Sequence, residues 1–332
     1  MSKTLWSNVN HQIHVAYQKG YGKNASERKE MREGGERTIA VKSSRNVITR
    51  DCKRFCEYVK EHHPEARTIA QSRNYIEEWK DKLLAEGVKA ETVHGYIDHL
   101  GVVYGISGGN YGLGRSAEPT KGRDISVRDM ADCNNPKYER FMELANMTGL
   151  RRSELAKLTY QDFHRGKDGE YYVSVYGKGG RQQEQRINPA YQERAREYAA
   201  KNDAEKVVSQ AETKNHINVH AIRRELAQEM YERYTEQCRT LKGRERLYEE
   251  VKMAFERGYS RSPESQRDWR ENKDIKLLEK NLESVYKTRG QQRKALENAG
   301  KPTEYERLPL LAVSVFHLAH WRCDVTVHNY CK

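Results

Sequence analysis

No stretch of this 332-residue sequence is long, apolar and uncharged enough to cross a bilayer, and none has the build of a signal peptide. Membrane insertion and secretion are therefore not expected. The sequence also lacks cysteines at zinc spacing. Cys52, Cys56, Cys133, Cys238, Cys323 and Cys331 are scattered, and Cys52 and Cys56, one helical turn apart, have no second pair. They read as reduced thiols of a cytosolic protein, not as a disulfide framework. There is no Walker loop, so ATP is not implied. No carboxylate cluster suggests a metal, and neither a metal nor a cofactor is expected. Apolar residues are also sparse, 36% against 33% charged. That composition predicts modest cores under much charged helical surface, without being poor enough for a wholly disordered chain.

What is present in excess is positive charge, a net +12 with a pI near 9.2. Such a surface favours a polyanion, and nucleic acid is the usual one. The length suits about two domains. Residues 1–43 are polar and glycine-bearing and read as an N-terminal arm. From 44 to 107 the pattern is helical. Val47, Cys52, Phe55 and Val59 suggest one amphipathic helix. Ile76, Trp79 and Leu83 suggest a second, closed by Gly87, and a third starts near Glu91. Gly108, Gly109, Gly112, Gly114, Pro119 and Gly122 mark a linker over 108–123, and a second domain follows over 124–332.

In that second domain a helix is expected from Tyr138 to Met147, followed by Thr148-Gly149-Leu150-Arg151-Arg152-Ser153-Glu154-Leu155. On a helix Arg151, Glu154, Leu155 and Leu158 share a side, which sets Arg151 beside a carboxylate and points Arg152 elsewhere. Residues 170–177 alternate as a strand. Gly177-Lys178-Gly179-Gly180 turns it, and 181–187 can return as its partner. Asn218 can cap a helix with Val219, Ile222, Leu226 and Met230 as its stripe and with His220 and Arg223 on a common face. Residues 231–305 are highly charged and read as an insertion of exposed helices. Their main apolar residues are Leu247, Val251, Met253, Phe255, Leu277, Leu278, Leu282 and Val285, too few for an independent core. The insertion is either a solvated excursion or a surface that docks on a neighbour or on the ligand. Order returns at Leu308–Leu318, which leads to His320 and, ten residues on, Tyr330.

A phenol ordinarily titrates near pH 10 and is a poor nucleophile unless cations and a base surround it. In order, this domain offers Arg151, Glu154, Lys178, His220, Arg223, His320 and Tyr330. Two arginines, two histidines, a lysine and a tyrosine suit attack of a phenol on a phosphodiester. Guanidinium forks hold the non-bridging oxygens of the pentacoordinate transition state. A histidine takes the phenolic proton, and a lysine protonates the leaving oxygen. Each motif is weak alone, and the order of the set carries the reading.

That order resembles the tyrosine recombinase (phage-integrase) family. The Thr148–Leu155 stretch resembles its first box, Gly177-Lys178-Gly179-Gly180-Arg181 its β-hairpin lysine, and His220-x-x-Arg223 its second box. Leu318-Ala319-His320 followed by Tyr330 resembles its terminal motif. The resemblance implies a mostly α protein with a small antiparallel β-hairpin or sheet (α+β). A helical core-binding domain over 44–107 would precede a tyrosine-recombinase catalytic domain. It implies a 3′-phosphotyrosyl link at Tyr330, a phosphate clamp of Arg151 and Arg223, proton handling and phosphate positioning by His220 and His320, Lys178 as general acid, and Glu154 orienting the site. The implied partners are double-stranded DNA, further copies of the chain in a tetramer on two DNA sites, and an accessory DNA-bending or directionality factor. The implied setting is the cytoplasm, at the nucleoid, in integration or excision of a phage or mobile element. A type IB topoisomerase-like relaxase and a catalytically silent DNA-binding regulator with the same fold are the alternatives.

Four features depart from the family pattern. Ala319 stands where glycine is usual, and Trp321 where a small polar residue is common. The 231–305 segment is far longer than the family's connection. Only Cys331 and Lys332 follow Tyr330, so the tail that many members pass to a neighbour is not expected.

Overall fold

The computed structural model describes residues 4–23, 25–113, 127–176, 182–260, 272–319 and 321–330. The chain divides into two compact units, Met1–Ala117 and Glu118–Lys332. Among the described residues the fold is mostly helical with two small antiparallel sheets, an α+β arrangement as expected.

The first unit holds helices α1 (Leu5–Gly20), α2 (Ala25–Glu33), α3 (Lys42–His62), α4 (Ile69–Ser72), α5 (Ile76–Ala85) and α6 (Ala90–Tyr104). Its core joins Ile48, Cys52, Phe55 and Val59 of α3 to Ile76 and Trp79 of α5 and to Val93, Ile97 and Leu100 of α6. Three expected helices are therefore present, with Ile48 rather than Val47 on the inner face of the first.

The N-terminal arm expected over 1–43 is not an arm through most of its length. Thr4 caps α1 by accepting from the Ser7 amide at 3.2 Å, and Leu5, Val9, Ile13 and Ala16 enter the same core. Their spacing of three and four residues is the stripe of a buried helix, set among the uncharged polar residues Ser7, Asn8, Asn10, His11 and Gln12. At the end of α1 the chain returns across Gly20, where a Cβ would lie 2.7 Å from the Ile39 carbonyl oxygen. The start of the expected linker also belongs to this unit. Gly108–Tyr111 forms a 3-10 turn, and a Cβ on Gly108 would meet the His94 ring at 2.6 Å.

The second unit begins with α7 (Val127–Cys133), α8 (Glu139–Thr148) and a single-turn α9 (Arg152–Leu155). A three-stranded sheet follows, β1 (Phe163–Arg165), β2 (Tyr171–Tyr176) and β3 (Gln182–Arg186), paired in that order. Helices α10 (Gln192–Lys201) and α11 (Gln210–Thr213) complete the first half around a core of Phe141, Leu144, Leu155, Val173 and Ile187. Next comes α12 (Val219–Gln237), whose Asn218 cap accepts from the Ala221 amide at 3.2 Å. Val219, Ile222, Leu226 and Met230 are all buried, as the stripe predicts.

The charged stretch departs most from expectation. It folds into α13 (Leu241–Ser260), α14 (Lys273–Lys280), α15 (Gly290–Asn298) and a two-stranded sheet of β4 (Val285–Lys287) and β5 (Glu304–Glu306). These elements are not excursions into solvent. Tyr234, Leu247, Val251, Phe255, Ile275, Leu278, Leu296 and Tyr305 form one core with α16 (Arg307–Phe316) and α17 (Cys323–Asn329). The cause lies in α16, where every residue from Arg307 to Phe316 is buried. A helix apolar all round must be covered on every side, and 231–305 supplies much of that cover. Met253 and Val285, counted among its apolar residues, are exposed.

Candidate active site

Arg151 does not sit within a helix, as expected, but at the residue that precedes α9. Glu154, one turn on and 5% exposed, accepts from the Arg151 backbone amide at 2.8 Å and from Arg151 Nη1 at 2.8 Å. The carboxylate thus fixes both the start of the helix and the guanidinium. Arg152 is oriented by another set. It donates to the Thr213 carbonyl at 3.0 Å, Asn215 Oδ1 at 2.7 Å and the Ile217 carbonyl at 2.5 Å, and it lies over the Phe141 ring.

The centre of the site is Arg223, 1% exposed on α12. Its Nε donates to the hydroxyl of Tyr330 at 3.2 Å. One terminal nitrogen donates to the Gly149 carbonyl, and the other donates to the Leu318 carbonyl at 2.7 Å. Burial works against the charge and pushes Arg223 below its usual range, with Tyr330 opposing and Arg151 adding to the shift. Tyr330 caps α17 and is itself buried. Gly149 closes α8 in the left-handed region, φ 60°, where a Cβ would lie 2.6 Å from a Leu226 methyl, so glycine presents its carbonyl to Arg223 without backbone strain or that contact.

His220 lies one turn before Arg223. Burial first, then the charges of Arg223 and Arg151, hold its pKa below the ordinary value, so it is neutral near pH 7. Arg151, Glu154, His220, Arg223 and Tyr330 are therefore brought together. Lys178, in the connection between β2 and β3, and His320 lie outside the described residues. The neighbours of the latter, Ala319 and Trp321, both take left-handed backbone, φ 49° and 54°. That conformation costs about 1–2 kcal/mol at a non-glycine residue. Glycine would relieve it at 319, so the alanine there is not a neutral exchange. Trp321 packs on Phe255 of α13 with tilted rings, their centroids 5.1 Å apart. Two departures from the family pattern, the tryptophan and the long insertion, thus meet in one contact.

Two residues that sequence reasoning missed support this cluster. Gln185 of β3, fully buried, donates through Nε2 to the Thr148 carbonyl at 3.1 Å and the His317 carbonyl at 2.5 Å. Its register opposite Val173, a core valine, is the signal that could have exposed it. His317 is also fully buried, with its Nε2 2.9 Å from the Tyr234 hydroxyl. Burial, then the neighbouring charge of Arg186, pushes its pKa down to about 3.

A cleft of about 640 Å³ opens elsewhere on this unit, lined by Asp168, Arg186, Arg233, Lys242, Arg246 and Glu250 among others. Its inner arginine, Arg186, is already held by Asp168 at 3.0 Å and Glu250 at 3.1 Å, and Arg246 also pairs with Glu250 at 3.0 Å. Among the described residues no group of three or more His, Cys, Asp or Glu is placed to hold a metal, and no helix is long and apolar enough to cross a membrane. Neither a protein-family model nor a curated protein sequence matches the chain.

Proposed function

We propose that this chain breaks and rejoins DNA through a covalent 3′-phosphotyrosyl intermediate at Tyr330, as a site-specific recombinase of the integrase type. The observation that carries the reading is the buried Arg223 guanidinium donating to the Tyr330 hydroxyl, with Arg151 and neutral His220 beside it. A buried, oriented guanidinium next to a phenol suits a reaction that gathers negative charge on phosphoryl oxygens. A neutral imidazole is the form that can accept a proton.

In this mechanism the Tyr330 oxygen attacks phosphorus and its proton passes to His220. The bond to the 5′-oxygen breaks, and Lys178 protonates the leaving group. Arg151 and Arg223 hold the non-bridging oxygens, and Glu154 keeps Arg151 in place. His320 is assigned to the phosphate as well. The reverse attack, by a 5′-hydroxyl, rejoins the strand, so the phosphodiester energy is conserved and no cofactor is consumed. Pairing of two duplexes by four copies of the chain, with accessory bending or directionality factors, belongs to the same proposal.

The test is a nicked suicide duplex, from which the cut fragment diffuses away and traps the adduct. The wild-type chain should yield a covalent protein–DNA species. Tyr330→Phe should yield none while binding the duplex nearly as well, since only a hydroxyl is removed. Tyr305→Phe, a tyrosine packed edge-on against Tyr231 in the second core, should retain the adduct. If Tyr305→Phe loses the adduct and Tyr330→Phe keeps it, the assignment is wrong. Strand exchange between two marked duplexes, rather than relaxation of any supercoiled plasmid, separates a recombinase from a topoisomerase-like enzyme.

A further inference from the structure

We propose that Gln185 is a positioning residue of this site, holding together the two turns that present its reacting groups; the inference rests on the breaking–rejoining reading above. One turn ends α8 and leads to Arg151, and the other ends α16 and leads to position 320. Among the described residues, two side chains hydrogen-bond to both. Gln185 donates to the carbonyls of Thr148 and His317, at 3.1 and 2.5 Å. Arg223 donates to the carbonyls of Gly149 and Leu318, the next residue of each turn. The two bridges are thus adjacent rungs between the same two segments.

Both partners of Gln185 are carbonyl oxygens, so only its NH₂ end can face them and the amide orientation is fixed by chemistry. Its Oε1 has no hydrogen-bond partner. A fully buried amide that uses both donors while leaving its acceptor unsatisfied is a costly choice for filling space. A methionine would fill it without that cost. The donors are what the position provides. Without the outer rung, Arg223 has to hold Leu318 to Gly149 while also orienting Tyr330. The arginine would then be set by a looser frame. The hydrogen bonds of Gln185 go to the two turns and not to Tyr330, so it acts through Arg223. Its location on β3 also ties the strand that follows Lys178 to the same frame.

The experiment uses the full chain and two near-isosteric variants, Gln185→Met, without donors, and Gln185→Glu, with acceptors facing two carbonyls. Val207→Ala, a cavity elsewhere in the first core of the unit, controls for lost stability. All are compared at a temperature where each is folded. Hydrogen exchange of the backbone amides over 148–151 and 317–319 should accelerate roughly tenfold or more in Gln185→Met and not in Val207→Ala. Single-turnover cleavage of the suicide duplex should slow by about 10- to 100-fold. Affinity for uncleaved duplex should stay within about twofold, because the loss falls on the chemical step. Combined with Arg223→Lys, the Gln185→Met effect should be much smaller than its effect in the wild-type background.

Unchanged exchange at both turns, slowing no greater than in Val207→Ala, or full additivity with Arg223→Lys overturns the assignment. Should Gln185→Glu fail to fold, Gln185→Met decides alone. A wild-type chain that forms no adduct overturns the breaking–rejoining reading instead, and the exchange measurement then settles whether Gln185 holds the turns.

Discussion

Arg152 gives its guanidinium to Thr213, Asn215 and Ile217, whereas its neighbour Arg151 is braced by one carboxylate. The spacing separates the two side chains but does not reveal that Arg152 is a structural anchor. Arg152→Ala should lower the stability of the second unit by about 2–3 kcal/mol, because several partly buried acceptors lose a charged donor. Arg151→Ala should slow cleavage by about 10²–10³, with a smaller melting loss than Arg152→Ala, because Glu154 loses its cation but keeps the backbone amide of residue 151. Thermal melts and adduct assays on both variants check this, and equal melting losses would refute it. His317 makes a prediction in pH. Its folded pKa of about 3 lies below its ordinary 6.5. The unfolded chain therefore takes up a proton as pH falls below about 6.5, while the folded chain does not until near 3. His317 thus adds nothing to the pH dependence above that window and removes stability within it, by about 1 kcal/mol per pH unit. His317→Gln should be less stable at pH 7 yet show a flatter decline between pH 6.5 and 5. An identical slope for the two proteins would dismiss the role of this histidine.

Among the elements, α12 was the most legible, since its cap, its stripe and its His220–Arg223 face all follow from local spacing. The β2–β3 pair, α3, α5 and α6 were legible for the same reason. What escaped depends on long-range burial. The stripe of α1 is set among polar residues that mask it, and β1, β4 and β5 are only three residues each. The candidate site was read from residue types in order, and five of its seven residues lie together among the described residues. Gln185 and His317 were not legible: Gln185 shows only when the hairpin register that sets it opposite Val173 is followed face by face, and nothing local distinguishes a buried histidine from an exposed one. The insertion offered a usable sign in α16, whose apolar run has no polar face and so needs cover from somewhere. Phe255→Ala tests that cover. It removes the ring against Trp321 and part of the packing on α16, and should cost about 3–5 kcal/mol. Replacing 236–303 with a short linker should unfold α16 and α17, not merely trim a loop. A trimmed protein that melts like the parent would show that the cover is dispensable.

At the scale of the whole chain, the two units keep separate cores. Residues 118–332 should therefore fold alone and still form the Tyr330 adduct, with weaker DNA affinity once the first unit's phosphate contacts are gone. For the full chain, log affinity should fall against log salt with a slope of about −0.9 per phosphate neutralised. The slope should be shallower for the isolated second unit. Equal slopes would mean that the first unit makes no phosphate contact. The second core has a further consequence, for synthesis on the ribosome. Its cover precedes the helix it covers, so α13 emerges before α16 exists to fill its apolar face. About 50 residues separate Phe255 from Leu308, an interval of roughly 3–10 s at ordinary translation rates. For that time Leu247, Val251 and Phe255 face solvent or a chaperone. The nascent chain is then at its most aggregation-prone, and slowing translation over this stretch should lower the soluble yield.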